Sequence, residues 1–320
     1  MSNDMWIKTE NINCPICDSK EYEQLAVRTD GLNIVQCKKC GLGYLNPRPL
    51  EQELYKLYEK DYYSDQLDER IIYKGLAPSI HKIKYYKPYT IDILTSTISL
   101  KNKRALDIGC SHGKWVYWMQ KFGANAIGID LGQQCVEWGR DNMGLDLRQK
   151  EMSSLDEPDE SFDVITMIDL IEHVSDIRNF MESLTRKLKP GGVVFVQTPN
   201  LESYYKWQKQ WLFLDFGLEH LLYFSAATLD KLFAAYGMLP CKQTFVLDTI
   251  PCDIKGSLKD QKGFKRKLAS YLLHLPRCFE FVHKGLSALL ASEYKYKYDT
   301  ERKSGAILVG CYVKSSSVKA

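Results

Sequence analysis

The nine residues Ala105-Leu-Asp-Ile-Gly-Cys-Ser-His-Gly113 constrain this chain more than any other stretch. Apolar residues flank Asp107, Gly109 and Gly113 bracket a tight turn, and Lys114-Trp-Val-Tyr-Trp-Met119 continues with helical character. Strand, glycine turn and helix in that order open an α/β nucleotide-binding unit. The next apolar run, Ala126-Ile-Gly-Ile-Asp130, ends on a carboxylate 21 positions after Gly109. An acidic residue there accepts hydrogen bonds from both hydroxyls of a ribose. A dinucleotide fingerprint does not fit, because its second and third glycine positions hold Ser111 and Lys114. Those glycines let a pyrophosphate reach the backbone and let helix and strand pack closely. The pattern suits a nucleoside without pyrophosphate. Asp107 and the backbone of 109–113 would hold an ammonium and a carboxylate, and Asp130 the ribose.

The same alternation of apolar runs and helical segments continues. Strands are expected at 104–108, 126–130, 145–149, 164–168 and 193–198, with helices over 113–122, 132–142 and 176–188 and a turn at 189–192. That alternation implies a doubly wound, mostly parallel α/β sheet. Ligands bind such sheets at the carboxyl ends of the strands, where Gly109, Asp130, Glu151, Asp169 and Thr198-Pro-Asn200 fall. Two further strands, 241–248 and 306–313, are separated by a long segment, 250–304.

Cys14-Pro-Ile-Cys17 and Cys37-Lys-Lys-Cys40 stand 19 residues apart at the start of the chain. Two Cys-x2-Cys knuckles at that spacing read as a zinc ribbon. Four thiolates close a tetrahedron around Zn²⁺ with no open position, so the site is structural. Thr29-Asp-Gly31 would be the turn between its two strands. A rigid link, Asn46-Pro-Arg-Pro49, leads to a helical connector over 48–102, where Pro88 should kink or divide the helix at 79–98. Tyrosines 62, 63, 73, 85, 86 and 89 would pack there, either within the fold or over a ligand. The 45% hydrophobic content supports a sizeable core, and a net charge of +3 disfavours a general nucleic-acid binder. The first ten residues lack a signal-peptide core, and no apolar run reaches the ~20 residues of a membrane span, so a cytoplasmic protein is expected.

Six motifs together resemble the class I S-adenosylmethionine-dependent methyltransferases. They are Leu-Asp-Ile-Gly-Cys-Ser-His-Gly (106–113), Gly-Ile-Asp-Leu (128–131), Glu-Met-Ser-Ser-Leu (151–155), Ser-Phe-Asp-Val-Ile (161–165), Asp-Leu-Ile-Glu-His-Val (169–174) and Leu-Lys-Pro-Gly-Gly (188–192). The resemblance implies a Rossmann-like, seven-stranded methyltransferase domain over 103–320, with 250–304 inserted between its last two antiparallel strands. By position, Asp107, Gly109, Cys110, Ser111 and Gly113 would contact the methionine part of the cofactor, and Asp130 the ribose. Leu131, Glu151 and Met152 would border the adenine, and Ile168 and Asp169 would line the floor near the sulfonium. The ribbon (1–47) with Asn-Pro-Arg-Pro and Asp61-Tyr-Tyr63 resembles a bacterial subgroup acting on nucleotide sugars, surface glycans and other small metabolites. Its zinc-containing sugar C-methyltransferases usually carry a further C-terminal domain that is not expected here, which counts against C-methyl chemistry. Cys110-Ser111-His112 departs from the small residues common at that turn.

Segment 201–224 is dense in aromatics (Tyr204, Tyr205, Trp207, Trp211, Phe213, Phe216), suited to stacking on a sugar face or a quinol ring, or to packing as a lid. An alcohol acceptor must lose a proton, and His220, then His173, then His112, are the candidate bases. Basic and apolar residues over 262–290 suit an anionic membrane or lipid-linked substrate, or packing on the domain or on a second copy in a homodimer. The expected function is methyl transfer to a hydroxyl of a sugar or surface-glycan precursor, within polysaccharide biosynthesis. The alternatives are a quinol or phenolic O-methyltransferase, an RNA methyltransferase and a non-catalytic zinc-ribbon scaffold.

Overall fold

A computed structural model describes residues 7–28, 30–54, 80–85, 87, 88, 90–207, 219–241, 245–248, 297–299 and 307–316. The expected tyrosine-rich stretch 61–73, the aromatics at 211–216 and the basic segment 262–290 lie outside them.

The N-terminal ribbon holds β1 (Thr9–Glu10), β2 (Tyr22–Val27), β3 (Asn33–Cys37), β4 (Gly43–Leu45) and β5 (Arg48–Pro49). β2, β3 and β4 form an antiparallel meander, and β1 pairs with β5, so the expected link at 46–49 is partly a strand. The connector is divided around Pro88 into α1 (Ile80–Tyr85) and α2 (Ile91–Thr97). The proline ring blocks a continuous helix, as the sequence implies.

The central units then follow: β6 (Arg104–Ile108), α3 (Lys114–Lys121), β7 (Asn125–Asp130), α4 (Gln133–Met143), β8 (Leu147–Gln149), β9 (Phe162–Ile168), α5 (Ile177–Lys187) and β10 (Leu188–Pro199). β10 is longer than expected, because 189–192 belongs to it. Leu188 pairs with Phe162, and the register resumes, shifted, at Val193 opposite Val164. The Pro-Gly-Gly run is thus an irregularity inside a strand rather than a break between elements.

After α6 (Leu201–Trp207), β11 (Leu222–Tyr223) and α7 (Ala226–Ala235) come β12 (Met238–Pro240), β13 (Phe245–Asp248), β14 (Lys297–Asp299) and β15 (Ile307–Lys314). The large sheet runs β14-β13-β15-β10-β9-β6-β7-β8, with β12 also on β15. Seven of its strands are the expected set, and β13 and β15 pair antiparallel as expected. β12 and β14 are additions: β12 lies before the expected 241–248 strand, of which Phe245–Asp248 is described, and β14 lies within the expected insertion.

From β6 the chain moves outward through β7 to β8, then returns to β9 on the other side of β6. Right-handed crossovers therefore place the helices of the two halves on opposite faces of the sheet. The central strands are buried on both faces, with Leu106, Val164, Ile165, Val194 and Val196 fully enclosed.

Candidate functional site

The reversal of strand order falls between the carboxyl ends of β6 and β9, where open α/β sheets bind ligands. The turn after β6 is fixed by its backbone. Gly109 and Cys110 both donate to the carbonyl of Ile129, and Gly109, Ser111 and Gly113 have φ of 71°, 46° and 81°. Gly113 cannot be replaced cheaply, since a Cβ there would stand 2.6 Å from Leu145 Cδ1 and 2.9 Å from Leu147 Cδ1.

Asp130 reaches this turn. Its Oδ2 accepts from the Ser111 amide at 2.7 Å and its Oδ1 from the Gly132 amide at 2.8 Å. A carboxylate offers about four lone-pair sites, so roughly two remain for hydroxyl donors. Burial raises its pKa against the pull of those amides. Asp107 is only 2% exposed and accepts the Thr166 hydroxyl at 2.6 Å. Burial pushes its carboxyl up to about 7. Cys110 is buried, its side chain against the strand at Gly128, so only its backbone faces the turn. Leu131, Glu151 and Ile168 are half-buried and Met152 is buried.

A second cluster lies after β9. Asp169 has φ 51°, stands exposed at the strand end, and accepts both bonds of Gln197 Nε2, at 3.2 and 3.1 Å. Gln197 Oε1 in turn accepts from Thr90 at 3.0 Å, which ties the connector to the floor of the site. Surrounding protein pushes the Asp169 carboxyl up to about 6. Glu172 is 1% exposed; its Oε2 accepts from Thr198 at 2.9 Å, while Oε1 has no hydrogen-bond partner among the described residues. Burial, with Asp169 nearby, raises its pKa well above the ordinary carboxylate value.

His173 and His220 meet edge to face, their ring centroids 4.6 Å apart. Donor atoms of Glu172, His173 and His220 all lie within 4.8 Å of one another. His173 Nδ1 is 3.1 Å from the Glu219 carbonyl. A carbonyl only accepts, so Nδ1 carries the proton and Nε2 keeps its lone pair. Burial lowers His173 to about 4, and burial with His173 and Arg28 takes His220 well below its ordinary value. Both rings are neutral bases at pH 7. His112 lies apart from this pair, bonded to Ser111 Oγ at 2.9 Å and edge-on to Trp138. The fold thus brings together His220, His173 and Asp169. Sequence reasoning gave no role to Glu172 within its motif, and it missed Gln197 and Arg28.

In the ribbon, the sulfurs of Cys14 and Cys40 are 3.4 Å apart, those of Cys17 and Cys37 3.5 Å, and all four lie within 4.8 Å of one another. Zn–S bonds of ~2.3 Å in a tetrahedron give sulfur separations of about 3.8 Å. The four residues fit one such ion. The crowding pulls Cys40 down to about 5 against Cys14, whose thiol is driven up.

At the described end of the aromatic segment the tyrosines pack, the second of the two roles its sequence allows. Tyr204 donates to the Leu25 carbonyl and Tyr205 to Gln36, so both hydroxyls dock on the ribbon.

Residues 83–238 match the family model described as a methyltransferase domain. Over that stretch the chain is similar to a methyltransferase domain. A ubiquinone biosynthesis O-methyltransferase of Bartonella tribocorum is 31% identical over 132 residues, 40% of this chain and 51% of that protein. One of Hahella chejuensis is 32% identical over 149 residues, 45% and 59% of the respective chains. This chain therefore spans between half and three fifths of these two relatives. Among solved structures, a phosphoethanolamine N-methyltransferase of Haemonchus contortus with S-adenosyl-L-methionine overlaps with a TM-score of 0.49 at 14% identity, over 85% of this chain and 62% of that one. The domain's match begins at Ile83 in the connector and ends at Met238, so the ribbon stands outside it.

Proposed function

We propose that this protein transfers a methyl group from S-adenosylmethionine to a hydroxyl of a small aromatic acceptor, a phenol or quinol. The observation that carries the reading is the pair of neutral imidazoles, His173 and His220, set after β9 at the same end of the sheet as the Gly109–Asp130 turn. The turn would hold the cofactor, with Asp130 on the ribose hydroxyls, Asp107 behind the turn, and Leu131, Glu151 and Met152 at the adenine. Ile168 and Asp169 would border the transferred methyl. When bound, the cofactor supplies an electrophilic methyl on a sulfonium.

Moving that methyl onto the acceptor oxygen would leave the donor sulfur as a neutral thioether, and the residues named above would hold the two partners in line. In-line displacement needs alignment above all, and the acceptor proton passes to His220. A phenol, with a pKa near that of tyrosine (~10), yields its proton to a neutral imidazole far more readily than a sugar alcohol does. The names of the two relatives, both O-methyltransferases of ubiquinone biosynthesis, support the same choice. The sugar acceptor and polysaccharide pathway expected from the sequence gain no such support. Zn²⁺ held by the four cysteines of the ribbon would be structural. Among the described residues no helix is long and apolar enough to cross a membrane.

The test is methyl incorporation from labelled cofactor into a panel of dihydroxybenzenes and nucleotide sugars. Incorporation into the dihydroxybenzenes is expected; incorporation only into sugars would reverse the acceptor assignment. His220→Ala should lower turnover by about 10²-fold or more while cofactor affinity persists. Near-normal turnover would remove His220 from the mechanism.

A further inference from the structure

The small sheet of the ribbon does not end within the ribbon. Its edge strand β4 pairs antiparallel with β11, Leu222 opposite Tyr44 and Tyr223 opposite Gly43. The Leu45 amide donates to the Leu221 carbonyl at 3.0 Å, and the Leu221 amide donates to the Glu172 carbonyl at 2.9 Å. The backbone leaving His220 is therefore held by the ribbon on one side and by the Glu172-His173 turn on the other. The approach is close: a Cβ on Gly43 would meet Tyr223 Cβ at 3.0 Å.

Arg28, just past the end of β2, completes this junction. It is 4% exposed. Its Nη1 donates to the His220 carbonyl and to the Tyr223 hydroxyl, each at 3.3 Å, while Nη2 pairs with Asp30 at 2.7 Å. Burying a guanidinium is expensive unless it is paired and bonded. Docking two modules asks only for apolar contact, and Leu45, Leu221 and Leu222 already supply it. A buried cation bonded to the main chain of one histidine does more: it ties the His220 carbonyl, and the Tyr223 hydroxyl three residues on, to one nitrogen of a guanidinium that Asp30 holds in place.

We propose that Arg28 is a positioning residue for methyl transfer: from the ribbon it anchors the main chain of His220 and so sets that imidazole against His173. The ribbon is on this account a wall of the acceptor side and not an independent appendage. The proposal rests on the reading of His220 as the base.

The experiment compares Arg28→Met, Arg28→Lys and, as a docking control, Tyr205→Phe, which loses a ribbon–domain hydrogen bond to Gln36. The chain has six histidines, few enough to assign their imidazole NMR signals with single variants. Arg28→Met is expected to move the His220 and His173 signals while cofactor affinity by calorimetry stays within about twofold. Arg28→Lys should restore part of the wild-type pattern, and Tyr205→Phe should leave both signals in place. With a dihydroxybenzene acceptor, Arg28→Met should lower kcat by about tenfold or more with little change in KM, as misplacement of a catalytic group by an ångström does. The loss should vanish when Arg28→Met is added to His220→Ala. Unmoved imidazole signals, a matching effect in Tyr205→Phe, or full additivity with His220→Ala would each overturn the proposal. Wild-type turnover in His220→Ala alone would instead overturn the base assignment, whatever the NMR signals show.

Discussion

At the scale of single residues, the site is marked by ionisable groups whose pKa values are shifted toward the neutral form. His173 has its pKa lowered to about 4, while unfolded imidazole titrates near 6.5. Between those values the unfolded chain binds a proton that the native site refuses. The stability His173 contributes is thus complete above about pH 6.5 and is lost as pH falls toward 4, with an upper bound of ~3 kcal/mol. Asp107 and Asp169 act in the opposite sense, because their raised carboxyls favour the native state at low pH and lose that advantage as pH rises through about 7 and 6. The overall pH dependence therefore mixes signs, and a difference measurement isolates one of them. His173→Gln should be less stable than the parent in urea at pH 7.5, and the gap should shrink at pH 5. A gap independent of pH would mean that His173 has the same pKa in the native and the unfolded state. Legibility differed sharply among these residues. Asp130 and Asp169 end apolar runs, and a strand's end is readable. Glu172 was visible as part of a motif, but a sequence does not say that a glutamate will be 1% exposed. Arg28 stands just past a short strand, before Thr29-Asp30-Gly31, where nothing in the sequence distinguishes it from a solvated cation.

At the scale of elements, the turn of 105–113 behaves as its glycines imply, but for a reason the sequence states only in part. Gly113 is required by φ 81° and by Leu145 and Leu147, which fill the space a side chain would take. Gly113→Ala should destabilise the chain by about 1–3 kcal/mol in equilibrium denaturation and weaken cofactor binding, since the amide of Ser111 shares the same turn. A stable variant with unchanged affinity would show that the turn relaxes without cost. Central strands and their helices were legible because apolar runs of five to seven residues have a period to read. β11 has two residues and no period, so its pairing with the ribbon could not be foreseen. The Pro-Gly-Gly run at 190–192 misled for the opposite reason. It is strong turn chemistry, yet a parallel strand with a register shift absorbs it.

At the scale of the whole molecule, the ribbon and the α/β domain share one antiparallel sheet, a buried arginine and several side-chain bonds across their boundary. Arg178 donates to the Pro15 carbonyl beside the first Cys pair, Lys231 to the Cys40 carbonyl beside the second, and Arg48 to Ser175. A division at residue 47, natural from the sequence, therefore does not separate two units that stand free of each other. The consequence reaches metal binding. A ribbon this small has little core, so a bound Zn²⁺ supplies much of its folding free energy. Losing the ion should loosen β4, release β11 and weaken the domain itself. Treatment with a strong chelator is expected to lower the melting temperature of the chain on the order of 5–10 °C, the equivalent of about 2–3 kcal/mol for a domain of this size, within one cooperative transition. Cys37→Ser should reproduce the shift, and adding Zn²⁺ back should reverse it in the parent only. Two resolved transitions, with the upper one at the untreated temperature, would show that the domain stands without its ribbon.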